Sequence, residues 1–522
     1  MFKILACFII LTTPHLEYEG QDVHASWRQQ ALQRIEHIRM KNFIVKVVNR
    51  NNEPVEGAKV VVRMRRHAFG FGSAVSSELL FENSTNARLY QQKLENLTGD
   101  FRSFNIVTIK NALKWLSWED DNAYGTKEQA RYVVEWFVQR HIKVRGHNLL
   151  WPNWDYMPAD LQARHFDRTF LVNRIKNHIF DEAGYSGLKG NIAEWDVLNE
   201  INQNTDLEQA MGSKSIYADC LKWAALADPH ARLTLNENDI LTNGGMDDIS
   251  LDLLRSTLVE MLQARAPLQG LGMQSHMGAN FTPPERLLKI FDKFSDLGLA
   301  ISITEYDAVG ADEAIAADYM RDILIAAYSH PSVFNFIMWG FWDSTHWKED
   351  SPLFRKDWSL KPSGQVFIDT IFEQWWTDEK GSTDSNGLFT GRGYVGDYDI
   401  SVSFHDQTAT SSHTLENDSS FILRLDTDQT MLKLPSAFRL EQNYPNPFNQ
   451  STTMHYYLPN PVHVTLELYD LVGRKVDTFV DQQQAAGRHS IQINGSNLAN
   501  GIYYVHMTSG ALRCIKKVAL IK

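Results

Sequence analysis

Ala193-Glu-Trp-Asp-Val-Leu-Asn-Glu200 is a strand-length apolar run that ends on a carboxylate, and Leu299-Ala-Ile-Ser-Ile-Thr-Glu305 repeats the arrangement later in the chain. Each glutamate is expected to emerge where a buried strand meets a loop. Similar short apolar runs stand at 69–75, 104–109, 142–148, 232–236, 270–275 and 334–339, separated by longer amphipathic segments. Such alternation is the pattern of repeated βα units. Together with 193–198 and 300–304 there are eight strand candidates, which predicts an α/β chain with a (β/α)8 TIM barrel over 68–376.

Catalytic groups of such a barrel gather at the C-terminal ends of its strands. Polar and aromatic residues of this chain fall there repeatedly: Asn111, Lys114 and Trp115 after the second run, His147 and Trp151 after the third, Asn199 and Glu200 after the fourth. Gln274 and His276 follow the sixth, Glu305 ends the seventh and Trp339 the eighth. Two carboxylates at two strand ends are the minimum equipment for cleaving a glycosidic bond, because one must protonate the leaving oxygen while the other meets the charge developing at the anomeric carbon. An isolated strand-end glutamate is more often a solvated residue or a salt-bridge partner, and a single tryptophan or histidine is more often core. The joint occurrence changes that reading. Asn199 offers an amide for a sugar 2-hydroxyl, an interaction that strengthens in an oxocarbenium-like transition state. Asp307 and His276 are placed to position Glu305 and keep it ionised. Trp151, Trp339 and Trp347 are candidates for stacking on sugar faces.

The 522 residues call for more than one domain, and a composition of 43% hydrophobic and 22% charged residues is that of a globular protein. A net charge of −12 argues against nucleic-acid partners, which demand a basic stripe. No apolar run reaches the roughly 20 residues of a membrane span. Residues 1–20 read as an export signal, with Lys3 before a short apolar core; an N-terminal strand is the alternative. Few apolar residues precede Cys7, which makes a lipid anchor there unattractive. Cys220 and Cys514 stand in different contexts, so neither a disulfide nor a cysteine metal site is expected, and metal ligands are predicted to be none. Residues 26–67 read as a helix and a β-hairpin, with alternation at Phe43, Val45 and Val47 and again at Val60, Val62 and Met64. A small β region is expected over 377–428, with pairing to that hairpin as a guess, and a C-terminal β-sandwich over 434–522 closed by the lysine-flanked edge strand 515–522.

Asn111-Ala-Leu-Lys-Trp115, Gly146-His-Asn-Leu-Leu-Trp151, Trp195-Asp-Val-Leu-Asn-Glu200, Gln274-Ser-His276, Ile303-Thr-Glu-Tyr-Asp307 and Trp339-Gly340 with Asp343, Trp347 and Lys361-Pro362 together resemble glycoside hydrolase family 10, the retaining endo-β-1,4-xylanases. Arg65-Arg-His-Ala-Phe-Gly-Phe-Gly-Ser-Ala-Val75, with the flanking β segments, looks most like the plant-type branch. The resemblance implies Glu200 as general acid/base and Glu305 as nucleophile of a covalent glycosyl-enzyme intermediate, supported by Asn199, His276 and Asp307. It also implies substrate contacts from Asn111, Lys114, His147, Trp151, Gln274, Trp339 and Trp347, and no cofactor. Two positions depart from the family pattern. Lys110 stands where the family has a sugar-binding glutamate, and an ammonium cannot accept a hydroxyl proton, so the −2 contact must change. Asn238 replaces the usual aromatic of the fifth strand and weakens stacking on the leaving-group side.

Tyr444-Pro-Asn-Pro-Phe-Asn449, Tyr469-Asp-Leu-Val-Gly-Arg474 and Gly501-Ile-Tyr-Tyr-Val505 are similar to the sorting domains of the type IX secretion system, with a carbohydrate-binding sandwich as the alternative. The expected protein is thus a secreted or cell-surface xylanase of a Gram-negative bacterium, exported through periplasm and outer membrane. Its expected partners are xylan and the type IX machinery, and it is expected to be a monomer. Alternatives are a β-glucanase, a hydrolase for decorated xylan whose acidic substituent meets Lys110, and a non-catalytic glycan-binding protein on the same barrel.

Overall fold

A computed structural model describes residues 18–120, 125–278, 280–426, 438–510 and 512–522. Eight parallel strands form its centre: β1 (Gly70–Val75), β2 (Ile106–Ile109), β3 (Lys143–His147), β4 (Ile192–Asn199), β5 (Arg232–Glu237), β6 (Gly270–Met273), β7 (Ala300–Ala308) and β8 (Val333–Met338). Each pairs with the next, and β8 closes on β1 with Asn335 opposite Gly70 and Met338 opposite Ser73. The sheet therefore has no free edge, and helices wrap its outside, as the alternation of runs predicts. Strands buried on both faces read as continuous apolar runs, which is why they were legible one by one. Where β3 and β4 touch, Gly146 lies flat against the indole of Trp195, and a Cβ there would overlap the ring.

Residues 1–17, expected to carry the export signal, lie outside the described residues. Tyr18 and Gly20, at the end of the same expected segment, pack against the barrel. The Tyr18 hydroxyl donates to Asp322 at 2.9 Å, and its ring sits edge-on to Tyr319 at 5.1 Å. Helix Ser26–Arg39 follows and buries Trp27, Ala31 and Ile35, in the predicted 3.6-residue rhythm. Arg28 of this helix reaches Asp322 at 2.7 Å.

The hairpin expected over 26–67 is not formed. Strands Met40–Val48 and Lys59–His67 lie in different sheets. Met40–Val48 is central between Leu388–Tyr394 and Ser419–Arg424, whereas Lys59–His67 is central between Asp378–Ser382 and Gly396–Phe404, with Gln407–Leu415 beyond. Residues 49–58 make a longer link than the two- to five-residue loop of a tight hairpin. Each strand has one apolar face, and the two faces meet in a shared core of Phe43, Val45, Val60, Val62, Ile400 and Phe421. N-terminal and post-barrel segments thus interleave as one β-sandwich, which realises the guessed pairing in a different form. A second sandwich spans 439–520, built from three- and four-stranded sheets. Leu512–Leu520 is an edge strand of the larger one, as its lysines suggest.

Candidate active site

The C-terminal ends of the eight strands open onto one cleft of about 820 Å³. Lys110, Asn111, Lys114, His147, Trp151, Glu200, Gln274, His276, Glu305, Trp339 and Trp347 all line it. Asn199 and Asp307 are buried behind this lining; Asp307 touches it through His276, and Asn199 accepts from the buried Asn236.

Glu200 follows the last residue of β4 with φ at +53°, a left-handed conformation that side-chain-bearing residues adopt at a cost. Its N–H donates to the Asn236 carbonyl at 2.8 Å, which ties the turn to β5. The Glu200 carboxyl accepts from Gln274 Nε2 at 2.8 Å and from Asn204 Nδ2 at 3.3 Å. Burial, and then the negative charge of Glu305, raise its proton affinity above that of an ordinary glutamate, against these two amides.

Glu305, inside β7, is tuned the other way. Burial alone would raise it, but the bond from His276 Nε2 at 3.1 Å, the charges of His147 and His276, and Asn236 Nδ2 at 2.8 Å hold it below the usual carboxylate range. His276 bridges Glu305 and Asp307, its Nδ1 lying 2.8 Å from Asp307 Oδ2. Although burial works against a charged ring, hydrogen bonds and charge from these two carboxylates push His276 up to about 10, so both nitrogens carry protons near neutrality. Burial works against Asp307 too, yet His276, His346 and Trp347 hold it at about 2, the indole Nε1 donating at 2.8 Å. Glu305, His276 and Asp307 are thus joined in one hydrogen-bonded chain.

Further residues complete the site. Asn236 of β5 donates to both Glu305 and Asn199 Oδ1, the latter at 3.0 Å, and accepts from Thr304 at 2.7 Å. Asn199 Oδ1 is thereby committed, and its buried Nδ2 is without a protein partner. His147 lies 2.9 Å from Asp196 and 3.9 Å from Glu305. Tyr156 stacks on Trp151 at 3.7 Å and extends the aromatic wall. Lys110 donates to the Thr345 carbonyl at 2.8 Å with its Nζ 6.0 Å from the Trp339 ring. Burial, together with neighbouring Lys114, brings its amine down to about 8. Asn238 lines the cleft and donates to Gln203 at 3.1 Å.

Asn236, Asn204, Tyr156 and His346 did not stand out in the sequence. Asn236 had a visible signal, as a polar residue closing an apolar strand run; the other three sit in loops without periodicity. Among the described residues no group of His, Cys, Asp and Glu is arranged to hold a metal ion, and no helix is long and apolar enough to cross a membrane.

Residues 62–369 match the profile of glycosyl hydrolase family 10, and residues 442–522 match that of a secretion system C-terminal sorting domain. The chain is 33% identical over 379 residues to the anti-sigma-I factor RsgI6 of Acetivibrio thermocellus, covering 72% of this chain and 46% of that protein. It is 28% identical over 398 residues to endo-1,4-beta-xylanase 1 of Arabidopsis thaliana, covering 74% and 39% respectively. The chain thus spans less than half the length of these curated relatives. In fold it is similar to xylanase 10B of Thermotoga maritima, with a TM-score of 0.51 and 23% identity over 59% of this chain and 96% of that one.

Proposed function

Because this chain belongs to glycosyl hydrolase family 10, we propose that it is an endo-β-1,4-xylanase that cleaves internal bonds of xylan with retention of anomeric configuration. The observation that carries this reading is the opposite tuning of two carboxyls in one cleft: Glu200 is raised and Glu305 lowered. Carboxyls whose environments push their proton affinities apart divide into acid and nucleophile. In the first step Glu305 attacks the anomeric carbon while Glu200 gives its proton to the departing glycosidic oxygen, leaving a glycosyl ester on Glu305 and an ionised Glu200. Esterification removes the charge of Glu305, one of the causes that raise Glu200. Glu200 is then a stable carboxylate, ready to take a proton from water as the water attacks the ester carbon and releases Glu305. Asn199 Nδ2, buried without a protein partner, supports recognition of the sugar 2-hydroxyl.

Product analysis on xylan, mixed-linkage glucan and cellulose, with Glu305→Ala as control, tests the substrate, and NMR of the first-formed anomer tests retention. Oligosaccharides from xylan in the β configuration are expected. An α product would refute retention, whereas cleavage of glucan alone would establish the β-glucanase alternative. Binding without cleavage on all three would establish the glycan-binding protein.

The match of residues 442–522 to a sorting domain supports export to the cell surface or medium through the type IX system. Deleting that domain is expected to leave the enzyme in the periplasm, and undiminished export would overturn this. A second reading of specificity rests on Lys110, a cation in the cleft wall near neutral pH, which favours a xylan chain bearing acidic substituents such as glucuronate.

A further inference from the structure

The loop after β4 carries a side chain that the glutamate pair does not account for. Because Glu200 is left-handed, the chain doubles back, and the Glu200 carbonyl accepts the N–H of Asn204 at 3.0 Å. The Asn204 carboxamide then has both ends committed. Its Oδ1 accepts from Asn153 Nδ2 at 2.9 Å, while its Nδ2 donates to the Glu200 carbonyl at 2.9 Å and to Glu200 Oε2 at 3.3 Å. Exchanging the amide ends would set oxygen against carbonyl oxygen and NH2 against NH2, so the network itself assigns the orientation. Asn153 belongs to the loop that follows Trp151, so one chain of amides joins the aromatic wall to the acid/base carboxyl. The other oxygen, Oε1, accepts from Gln274.

We propose that Asn204 is a positioning residue for Glu200, which fixes the oxygen that carries the catalytic proton and eases its release. The inference rests on the retaining-hydrolase reading above. The shorter bond, from Gln274 at 2.8 Å, marks Oε1 as the carbonyl oxygen of the protonated carboxyl, and the longer one, at 3.3 Å, leaves Oε2 as the hydroxyl. When the proton leaves, Oε2 becomes a full acceptor and the Asn204 bond strengthens, which lowers the cost of the anion. The charged and titratable groups that act with Glu200 are Glu305 on β7, His147 at the end of β3, Lys114 after β2 and Glu237 on β5. Asn204 differs from them in being neutral and in touching the acid/base oxygen directly, so its replacement changes Glu200 while leaving that set in place.

The basic limb of kcat/KM against pH on xylan reports loss of the Glu200 proton. Asn204→Asp sets a like charge beside Oε2 and is expected to move that limb upward by about one to three pH units. Asn204→Ala removes the donor and is expected to move it the same way by less. On a 2,4-dinitrophenyl β-xylobioside, whose leaving group departs without a proton, kcat/KM is expected to stay within about threefold of wild type. A basic limb that stays put in both variants, or equal losses on the two substrates, would overturn the proposal in favour of a merely structural role. Unfolding midpoints are measured alongside; should Asn204→Asp not fold, the limb in Asn204→Ala decides. Inactivity of the wild type on both substrates would instead refute the retaining-hydrolase reading.

Discussion

Replacing Asp307 by Asn tests whether His276 is held as an imidazolium by the carboxylates on either side of it. Raising this ring from 6.5 to about 10 corresponds to about 5 kcal/mol of preference for the charged form, at about 1.4 kcal/mol per tenfold. Asp307 at 2.8 Å and Glu305 at 3.1 Å supply that preference between them, so the share of Asp307 is about half, or 2 to 3 kcal/mol. The other side of the bond agrees in direction: His276, His346 and Trp347 together hold Asp307 at about 2, below its ordinary 3.8, and His276 supplies part of that lowering. A group whose folded value lies above its unfolded one stabilises the fold fully below the unfolded value and loses that effect as pH rises through the folded one. For His276 the stabilisation is therefore complete below about pH 6.5 and gone above about 10. Asp307→Asn is expected to be 2 to 3 kcal/mol less stable than wild type at pH 6, with the gap closing as pH approaches 10. The lost bond to the Trp347 indole does not titrate in this range and adds only a constant. Thermal unfolding of both proteins from pH 6 to 10 measures the gap, and NMR titration of the ring should show His276 deprotonating about two pH units lower in the variant. A gap that is the same at pH 6 and pH 10 would refute the reasoning, because it would mean that Asp307 contributes packing and not charge coupling.

Glu305→Gln keeps the shape and the Asn236 contact but removes the carboxylate proposed as nucleophile; kcat on xylan should fall about 10⁴-fold or more with binding of xylo-oligosaccharides retained, and a loss under tenfold would contradict the assignment. Lys110→Glu should lower the ratio of rates on glucuronate-bearing to plain xylan, since it exchanges the cation for an acceptor of sugar hydroxyls; an unchanged ratio would remove the decorated-xylan reading. Asp322→Asn should cost about 3 to 5 kcal/mol of stability, because the fully buried carboxylate compensates Arg28 and Arg321 and accepts from Tyr18. Chemical denaturation measures this, and a change below about 1 kcal/mol would show that the N-terminal segment is not anchored there.

The barrel was legible because each strand announces itself locally. β1 to β8 are apolar runs bounded by polar ends, and a closed parallel sheet needs no pairing choice beyond chain order. The outer sandwich was less legible for the same reason in reverse. Alternation at Phe43, Val45, Val60 and Val62 shows that two strands each bury one face, but not whether those faces lie side by side in one sheet or opposite each other in two. The partners that settle the matter, such as Leu388–Tyr394 and Gly396–Phe404, come more than three hundred residues later. Asn204 carries no local signal, because its place beside the carboxyl depends on the left-handed turn at Glu200.

The sequence by itself determined the order of the strands, the residues standing at their C-terminal ends, and so the reach of Glu200 and Glu305 into one cleft; periodicity and strand length are properties of adjacent residues. Only the tertiary structure decided the proton affinities of the pair. Those depend on burial and on His276, Asp307, Gln274 and Asn204, which come from different loops and strands, and electrostatic energy follows distance in space, not separation along the chain.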